Sequence, residues 1–331
     1  MLLQTELISL NKGDAVSHYL LLKKCEVRLT KAGKEYITIE LGDRSCSLGS
    51  NIWDNFEVFY NSAKTGDVVK VTGTIDEYQG NLQIKISHIR VTKESDGVSP
   101  VDFQVHSKRN PDVMKKEFFD RLEIISTPAL KLLMQNIFNE DNFALYSTAP
   151  AGKQWHHAYI HGLLEHTLEI IKICDLMSDI HPEINRDMLI CGAMMHDFGK
   201  VEELNFNGAF EYSDKGKLLG HIVISAMKVK DEAEKISGFS EELKNCLIHL
   251  VLSHQGKLEF ASPVVPKTLE AITLYQADEL SAKGNAYKNA LATEIRGDAK
   301  WTKYIGLAST DLYNHGIEPD QEKIINKSLF D

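Results

Sequence analysis

The sequence predicts a multidomain α and β chain in which an N-terminal β-barrel precedes an all-α helical bundle. Residues 16–92 alternate between apolar and polar side chains, with the period of two that is typical of half-buried strands. The stretch 94–100 is polar and contains glycine and proline, as expected of a linker. Beyond it the pattern becomes helical. We therefore expect domains at 1–93 and 111–331, joined by a linker at 94–110.

The prediction of a barrel rests on the order of its elements. The strand-like segments lie at 20–22, 25–30, 36–41, 67–75 and 82–86, and a short helix is predicted at 54–64. Glycine-containing turns separate neighbouring segments. Strand, strand, strand, helix, strand, strand is the order expected of a small OB-type barrel, a fold that binds oligonucleotides.

Capping residues and prolines mark helix starts in the second part of the chain. A proline fits the first turn because no intrahelical N–H donor is needed there. A serine or asparagine accepts a hydrogen bond from a backbone N–H of that turn. These signals predict helices that start at Asn110-Pro111, at Pro128, at Ser240 running to His254, and after Pro263 and Pro266 over 267–282.

The composition limits the partners and the compartment. The net charge is −10, which argues against a simple cationic coat for nucleic acid. Most of the acidic excess follows residue 100, so nucleic-acid binding is expected of the more balanced N-terminal part. No apolar stretch reaches the roughly 18 residues of a membrane span, and the start lacks a secretory signal. With five scattered cysteines, these features predict a cytoplasmic chain without membrane contact.

A series of histidines and aspartates predicts a metal site. Each member lies in or at the end of a segment predicted as helix, about one helical hairpin from the next. Adjacent helices of one bundle could therefore bring the side chains together. Imidazole and carboxylate groups are ligands of divalent metals such as Mn²⁺ and Mg²⁺. The predicted ligands are His166, His196, Asp197, His221, His254 and Asp278.

The adjacent pair His196-Asp197 lies at the centre of this series. Asp197 is the natural bridging carboxylate between two ions, which lower the pKa of bound water and neutralise charge on phosphoryl oxygens. Lys200 lies one helical turn further on, and its ammonium group suits a phosphate oxygen. We therefore predict Asp197 and Lys200 as catalytic residues of a metal-assisted phosphohydrolase, with Lys200 also binding substrate.

Further substrate contacts are predicted in both parts of the chain. His156 and His157 lie shortly before the first predicted ligand. In the barrel, a nucleic-acid site combines cationic side chains along the backbone with aromatic side chains on which bases stack. We expect Lys34 to supply charge, and Tyr36 and Trp53 to supply stacking surfaces.

Six segments together resemble the HD phosphohydrolase superfamily, whose pattern is H…HD…D. More narrowly, the chain resembles the YhaM-type 3′→5′ exoribonucleases of bacteria, which place an OB-type domain before the HD domain. The segments are Glu26–Lys34, Trp155–Tyr159, Gly162–Thr167, His196–Lys200, Gly216–His221 and His249–His254. The resemblance implies an HD-domain bundle, dependence on Mn²⁺ or Mg²⁺, and release of nucleotides from the 3′ end of single-stranded RNA, with single-stranded DNA left open.

The resemblance also implies which residues bind each ion. It assigns His166, His196, Asp197 and Asp278 to a first metal, and His221 and His254 to a second. Three positions depart from the family's pattern, one of which is His161 at the position of a glycine. Gln255 stands where a further histidine is usual, which puts the second metal in doubt, and Ser281 stands where an acid is frequent.

Two other functions remain open at this stage. In the first, the HD enzyme hydrolyses a small or cyclic nucleotide, and the barrel is then regulatory. A nonenzymatic RNA-binding protein with a degenerate HD core is the other alternative, which Gln255 favours and the retained Asp197 and Asp278 oppose. The apolar helices predicted within 111–145 leave a homo-oligomer open.

Overall fold

The computed structural model divides the chain into two compact units. The first is formed by Met1–His106 with Asn205–Glu211, and the second by Ser107–Leu204 with Tyr212–Asp331. The predicted limits 1–93, 94–110 and 111–331 stay a prediction. The residues that the structure describes are 4–78, 80–153, 155–206, 208, 210–295, 299–306, 308–316 and 328–330.

The first unit contains a closed five-stranded barrel, as predicted. The strands follow one another around the barrel in the order β1-β2-β3-β5-β4. The elements are β1 (Ala15–Leu29), β2 (Glu35–Gly42), β3 (Ser47–Ile52), α1 (Glu57–Ser62), β4 (Val68–Tyr78) and β5 (Asn81–Val91). The predicted order of three strands, a helix and two strands is therefore confirmed, and with it the OB-type barrel.

Strand β1 is long enough to pair with two neighbours. Residues 15–21 pair antiparallel with β4, and residues 21–29 pair antiparallel with β2. The register shifts between Leu22 and Lys24, as at a bulge, which lets one strand turn a barrel corner. The parallel pairing of β3 with β5 closes the barrel. Its interior is filled by alternate residues of the strands, such as Leu20 and Leu22.

The second unit is helical. Its helices are α2 (Pro111–Glu123), α3 (Pro128–Ile137), α4 (Glu140–Thr148), α5 (Gly162–Ile180), α6 (Arg186–Met195), α7 (Lys200–Glu203), α8 (Asp214–Ala233), α9 (Glu241–Ser253) and α10 (Leu269–Glu294). A two-residue strand pair, β6 (Leu204–Asn205) and β7 (Glu211–Tyr212), lies between α7 and α8. The prediction of an all-α bundle in this part is confirmed.

The predicted helix starts agree with the structure. The Asn110 side chain accepts hydrogen bonds from two backbone N–H groups of α2, and the Ser240 side chain accepts one from α9. The end predicted for the last helix is wrong. That helix continues from Leu269 to Glu294 because it keeps a buried face beyond residue 282, which includes Asn285 and Ala286.

Helix α6 lies in the middle of the bundle. Nine of its ten residues are buried, from Asp187 to Met195. Gly192 permits close packing on α9, because a Cβ at this position would overlap the side chain of Leu250. The ends of α6 and α9 are thereby brought together, which places the residues that follow each helix in one region. Within the described part of the chain, no helix combines the length and the apolar character that crossing a bilayer requires.

Candidate metal centre

The six residues predicted as metal ligands converge on one buried region, although they come from five helices. His166 lies in α5, His196-Asp197 directly after α6, and Asp278 in α10. His254 directly follows α9, and His221 follows a break in α8. His166, His196 and His254 have no exposed surface, and Asp197 has almost none. The spacing of about one helical hairpin per residue accounts for this convergence, and metal binding by these residues stays a prediction.

One carboxylate oxygen of Asp197 faces two imidazoles. Asp197 Oδ2 lies 3.2 Å from His196 Nε2 and 3.8 Å from His166 Nε2. Asp278 approaches the same group, with its Oδ1 3.0 Å from His166 Nε2. Two imidazoles and one further carboxylate thus lie around this side of Asp197.

The other oxygen of Asp197 faces a second pair of imidazoles. Asp197 Oδ1 lies 3.2 Å from His221 Nε2 and 3.6 Å from His254 Nε2. One side chain therefore has a different pair of histidines at each of its oxygens. This is the arrangement that a carboxylate bridging two cations requires.

Several of these atoms lack hydrogen-bond partners. The Nε2 atoms of His166, His196 and His221, and Oδ1 of Asp197, are buried without one. Each unsatisfied buried polar group costs on the order of 1–3 kcal/mol. The ligand atoms of His166, His196 and Asp197 lie within 4.8 Å of one another, as do those of Asp197, His221 and His254. A divalent cation at each group would satisfy these atoms, so the donor set fits such ions.

The opposite ring nitrogens explain why the Nε2 atoms point inward. Nδ1 of His196 and Nδ1 of His254 each lie 2.7 Å from a backbone carbonyl, which can only accept. Both rings therefore carry their proton on Nδ1, and Nε2 presents a lone pair. Fixing of a tautomer by a partner on the other nitrogen is the usual arrangement around metal-binding histidines.

The remaining two rings are held by side chains that the sequence did not reveal. Nδ1 of His166 lies 2.9 Å from Ser281 Oγ, and that hydroxyl donates to Glu169 Oε2 at 2.6 Å. Nδ1 of His221 lies 3.0 Å from Glu203 Oε1, which also accepts from the His221 backbone N–H. No short-range signal marks these partners, because each belongs to another turn or another helix.

A break in α8 sets the position of His221. Gly220 has φ 71° and ψ 154°, a conformation that strongly favours glycine. The nearby Gly199 also has a packing role, since a Cβ there would overlap the backbone carbonyl of His221. These two glycines let His221 lie directly against the segment that carries Asp197.

The electrostatics favour neutral imidazoles at His166 and His254, beside a charged carboxylate. Burial, followed by the charges of neighbouring histidines, lowers the pKa of His166 well below its ordinary value. Burial, followed by the charge of His196, lowers the pKa of His254 to about 4. For Asp197, burial opposes ionisation, but Lys200 and then His196 hold its pKa well below the usual range. For His196, burial acts in the opposite sense, and Asp197 raises its pKa.

Two further polar side chains contact the centre, Lys200 at Asp197 and Gln255 at His254. Lys200 Nζ lies 2.5 Å from Asp197 Oδ2 and is almost fully buried. The amide of Gln255 lies 3.2 Å from His254 Nε2. Because that nitrogen presents a lone pair, the Gln255 N–H₂ group donates to it. Gln255 thus occupies the atom with which His254 would bind a cation.

Comparisons with known proteins agree with this geometry. Residues 163–283 match the model of the HD domain, and residues 24–92 match that of the OB-fold nucleic acid binding domain. The protein named 3′-5′ exoribonuclease YhaM from Geobacillus sp. (strain WCH70) is 32% identical over 281 residues, which cover 84% of this chain and 86% of the relative. That of Bacillus subtilis (strain 168) is 31% identical over 279 residues, covering 84% and 88%. That of Listeria innocua serovar 6a is 30% identical over 318 residues, covering 96% and 100%.

This chain belongs to the YhaM family. The resemblance noted in the sequence is thereby confirmed. The HD-domain match and the two His/Asp groups indicate dependence on a divalent metal. The roles predicted for individual ligands stay predictions.

In this member of the YhaM family, the two upstream histidines lie beside the centre. The ring centroids of His156 and His157 are 5.0 and 5.1 Å from that of His166. His156 keeps some exposed surface, whereas His157 has none. Burial, followed by the charge of His166, lowers the pKa of His156 well below its ordinary value. Substrate contact by these histidines stays a prediction.

The three residues predicted for nucleic-acid contact lie together on the barrel. The rings of Tyr36 and Trp53 are stacked, with centroids 4.4 Å apart and planes 21° from parallel. Trp53 is 48% exposed, so one aromatic face remains available to solvent. Lys34 Nζ forms an exposed ion pair with Asp54 at 2.6 Å. Their contact with RNA also stays a prediction.

Proposed function

We propose that this chain is a metal-dependent 3′-5′ exoribonuclease that hydrolyses phosphodiester bonds of single-stranded RNA and releases nucleotides. The observation that carries the proposal is the position of Asp197, which has a different pair of imidazoles at each carboxylate oxygen. The three relatives described above are named for this activity and match most of the chain. An OB-fold domain ahead of the HD domain supports RNA as the substrate.

The proposed ligands divide into two sets that share Asp197. His166, His196, Asp197 and Asp278 would hold one ion, and Asp197, His221 and His254 a second, with Mn²⁺ or Mg²⁺ as the ions. Such ions lower the pKa of bound water and neutralise charge on the phosphoryl oxygens. The chain itself supplies imidazoles whose Nδ1 atoms are held by hydrogen-bond partners, and a carboxylate held in its charged state.

Lys200 is the side chain proposed to act on the substrate directly. Its ammonium group is buried beside Asp197, where water competes weakly for charge. A phosphoryl oxygen that approaches Asp197 would meet this positive charge, which favours the additional negative charge of the hydrolytic transition state. His156 and His157 are the further substrate contacts in this proposal.

The barrel is proposed to hold the RNA strand. Base stacking on the exposed face of Trp53, supported by Tyr36, tolerates any sequence, because every base has a π-face. Lys34 would contact the phosphate backbone. Single-stranded DNA as a second substrate, a cytoplasmic location and self-association belong to the same proposal.

The test uses 5′-labelled single-stranded RNA incubated with the protein and Mn²⁺, followed by sizing of the labelled products. We expect a ladder that shortens from the 3′ end. The same reaction with labelled single-stranded DNA measures the second substrate, and light scattering measures self-association. A single internal cut would contradict exonuclease action.

The matched variants are Asp197→Ala and Asp179→Ala. Asp197→Ala should abolish nucleotide release and leave RNA binding largely intact, because the barrel is a separate unit. Asp179 is an exposed carboxylate of α5, so its removal should change neither. Full activity of Asp197→Ala would refute the assignment of the centre.

A further inference from the structure

A second group of potential ligands lies at the start of α5, outside the Asp197 centre. It consists of His157, Glu165 and Glu169, whose ligand atoms lie within 4.8 Å of one another. The two glutamates are four residues apart on α5 and therefore share one face of the helix. His157 precedes the helix with a φ of 43°, and its backbone N–H donates to Asn285 Oδ1. We call this group the His157 cluster.

Within the part of the chain that the structure describes, neither glutamate of the cluster is paired with a lysine or an arginine. Glu165 is 7% exposed, and the Glu169 side chain is 29% exposed. The ionisable side chains that approach them are His157, beside Glu169, and Tyr159, whose hydroxyl is hydrogen-bonded to Glu165. Two carboxylates so close together in a poorly hydrated site repel each other, and burial raises the cost of each charge.

The hydrogen bonds that the carboxylates accept do not supply the missing charge. Ser107 Oγ donates to Glu165 Oε2 at 2.5 Å, and Ser281 Oγ donates to Glu169 Oε2 at 2.6 Å. Both donors are neutral hydroxyls. They orient one oxygen of each carboxylate but leave the negative charge of the pair in place.

The imidazole of His157 points to a cation as the missing partner. Its side chain is completely buried, and neither Nδ1 nor Nε2 has a hydrogen-bond partner. Nε2 lies 3.3 Å from Glu169 Oε2. A buried imidazole whose two nitrogens lack hydrogen-bond partners lies next to two carboxylates whose one ion-pair partner among the described residues is that imidazole. One cation that accepts lone pairs from all three side chains would satisfy the group.

We propose that the His157 cluster binds a divalent cation of its own, separate from the ions proposed at Asp197. One imidazole nitrogen and two carboxylate oxygens suit a first-row divalent metal such as Mn²⁺ or Zn²⁺, with water completing the coordination. The ion would also support the main centre. Glu169 is connected through Ser281 to Nδ1 of His166, so a metal that fixes Glu169 fixes that ring as well.

The direct test is a crystal of the full chain soaked in MnCl₂, with an anomalous difference map recorded at the manganese edge. We expect a peak within coordination distance of His157, Glu165 and Glu169, in addition to any peaks around Asp197. The map resolves the two locations, so the failure of either assignment is visible independently of the other. A map at saturating Mn²⁺ with no peak at the cluster would overturn the proposal and make His157 an imidazolium partner of the glutamates.

A solution measurement uses equilibrium dialysis against Mn²⁺. In an Asp197→Ala background, which removes the shared carboxylate of the main centre, the cluster should still bind one ion per chain. Adding both Glu165→Gln and Glu169→Gln to this background should abolish binding of this ion. Adding Glu183→Gln instead, at an exposed position, should leave the binding unchanged. Equal Mn²⁺ binding by the Glu165/Glu169 variant and the Glu183 variant would refute the site. If the glutamine variants do not fold, the anomalous map of the wild-type crystal shows whether the cluster binds Mn²⁺.

Discussion

Replacement of Ser281 by alanine should weaken metal binding at the Asp197 centre, although Ser281 is not proposed as a ligand. Its hydroxyl lies between Nδ1 of His166 at 2.9 Å and Glu169 Oε2 at 2.6 Å. The variant would leave the buried Nδ1–H of His166 without an acceptor. His166 would then lose the partner that keeps its proton on Nδ1 and its lone pair on Nε2.

The size of the effect follows from this geometry. His166 is fully buried and Ser281 is 5% exposed, so bulk water cannot readily replace the hydroxyl. Leaving a buried donor unsatisfied costs about 1–3 kcal/mol, which corresponds to about a 5–150-fold loss of affinity. The measured range for the loss of such outer partners of metal ligands is about 10–100-fold. We expect the loss of Mn²⁺ affinity to lie where these two ranges overlap, and we expect RNA affinity to fall less than Mn²⁺ affinity.

Calorimetric titration of the metal-free protein with Mn²⁺ measures this loss directly. Ser281→Thr keeps the hydroxyl and should restore most of the affinity. Ser178→Ala is the matched control, because Ser178 on α5 donates only to the carbonyl of Cys174 in its own helix. If Ser281→Ala bound Mn²⁺ as tightly as Ser178→Ala does, the argument that this hydroxyl positions His166 would be refuted.

Three further predictions concern other parts of the chain. Gln255→Leu removes the amide that donates to His254, so calorimetry should show tighter binding of a second Mn²⁺. Weaker binding of that ion would contradict this and indicate that Gln255 is itself a ligand. Trp53→Ala should weaken RNA binding about 5–150-fold, because stacking of one base contributes about 1–3 kcal/mol. The midpoint of thermal unfolding should change by no more than a few degrees. The folded, metal-free protein keeps His254 neutral down to a pKa of about 4, whereas the unfolded chain takes up a proton at about 6.5. Stability in urea should therefore decrease as the pH falls from about 6.5 towards 4, with His254 contributing up to about 1.4 kcal/mol per pH unit; an equal slope in His254→Asn would exclude this residue as the source.

The sequence predicts the local features of this structure better than its long-range contacts. Strands β1, β2, β4 and β5 and the starts of α2 and α9 follow from alternation and capping, which are properties of adjacent residues. Strand β3 was not among the predicted segments. The convergence of the ligand series follows from a spacing of one hairpin per ligand. The end predicted for α10 was wrong, because no proline stops the helix directly after residue 282 and a buried face continues to stabilise it.

The partners that hold the ligand rings were beyond prediction. Ser281 attracted notice only as a departure from a pattern, and Glu169 and Glu203 attracted none. Ser281 and Glu203 each contact a histidine of a different element, and Glu169 reaches His166 only through Ser281. A single sequence contains no record of such pairs. The ion pair of Lys34 with Asp54 is similar, since it joins residues from different parts of the barrel domain.

The glycine break within α8 has a consequence for insertions and deletions. In a continuous α-helix, one added residue turns every side chain beyond it by about 100°, which would move His221 away from Asp197. Because Gly220 interrupts the helix, the rotational phase of residues 214–219 is not transmitted to His221. Length changes in that first segment should therefore be tolerated as long as Gly220 and the Glu203 contact remain, whereas an insertion between Gly220 and His221 should not be.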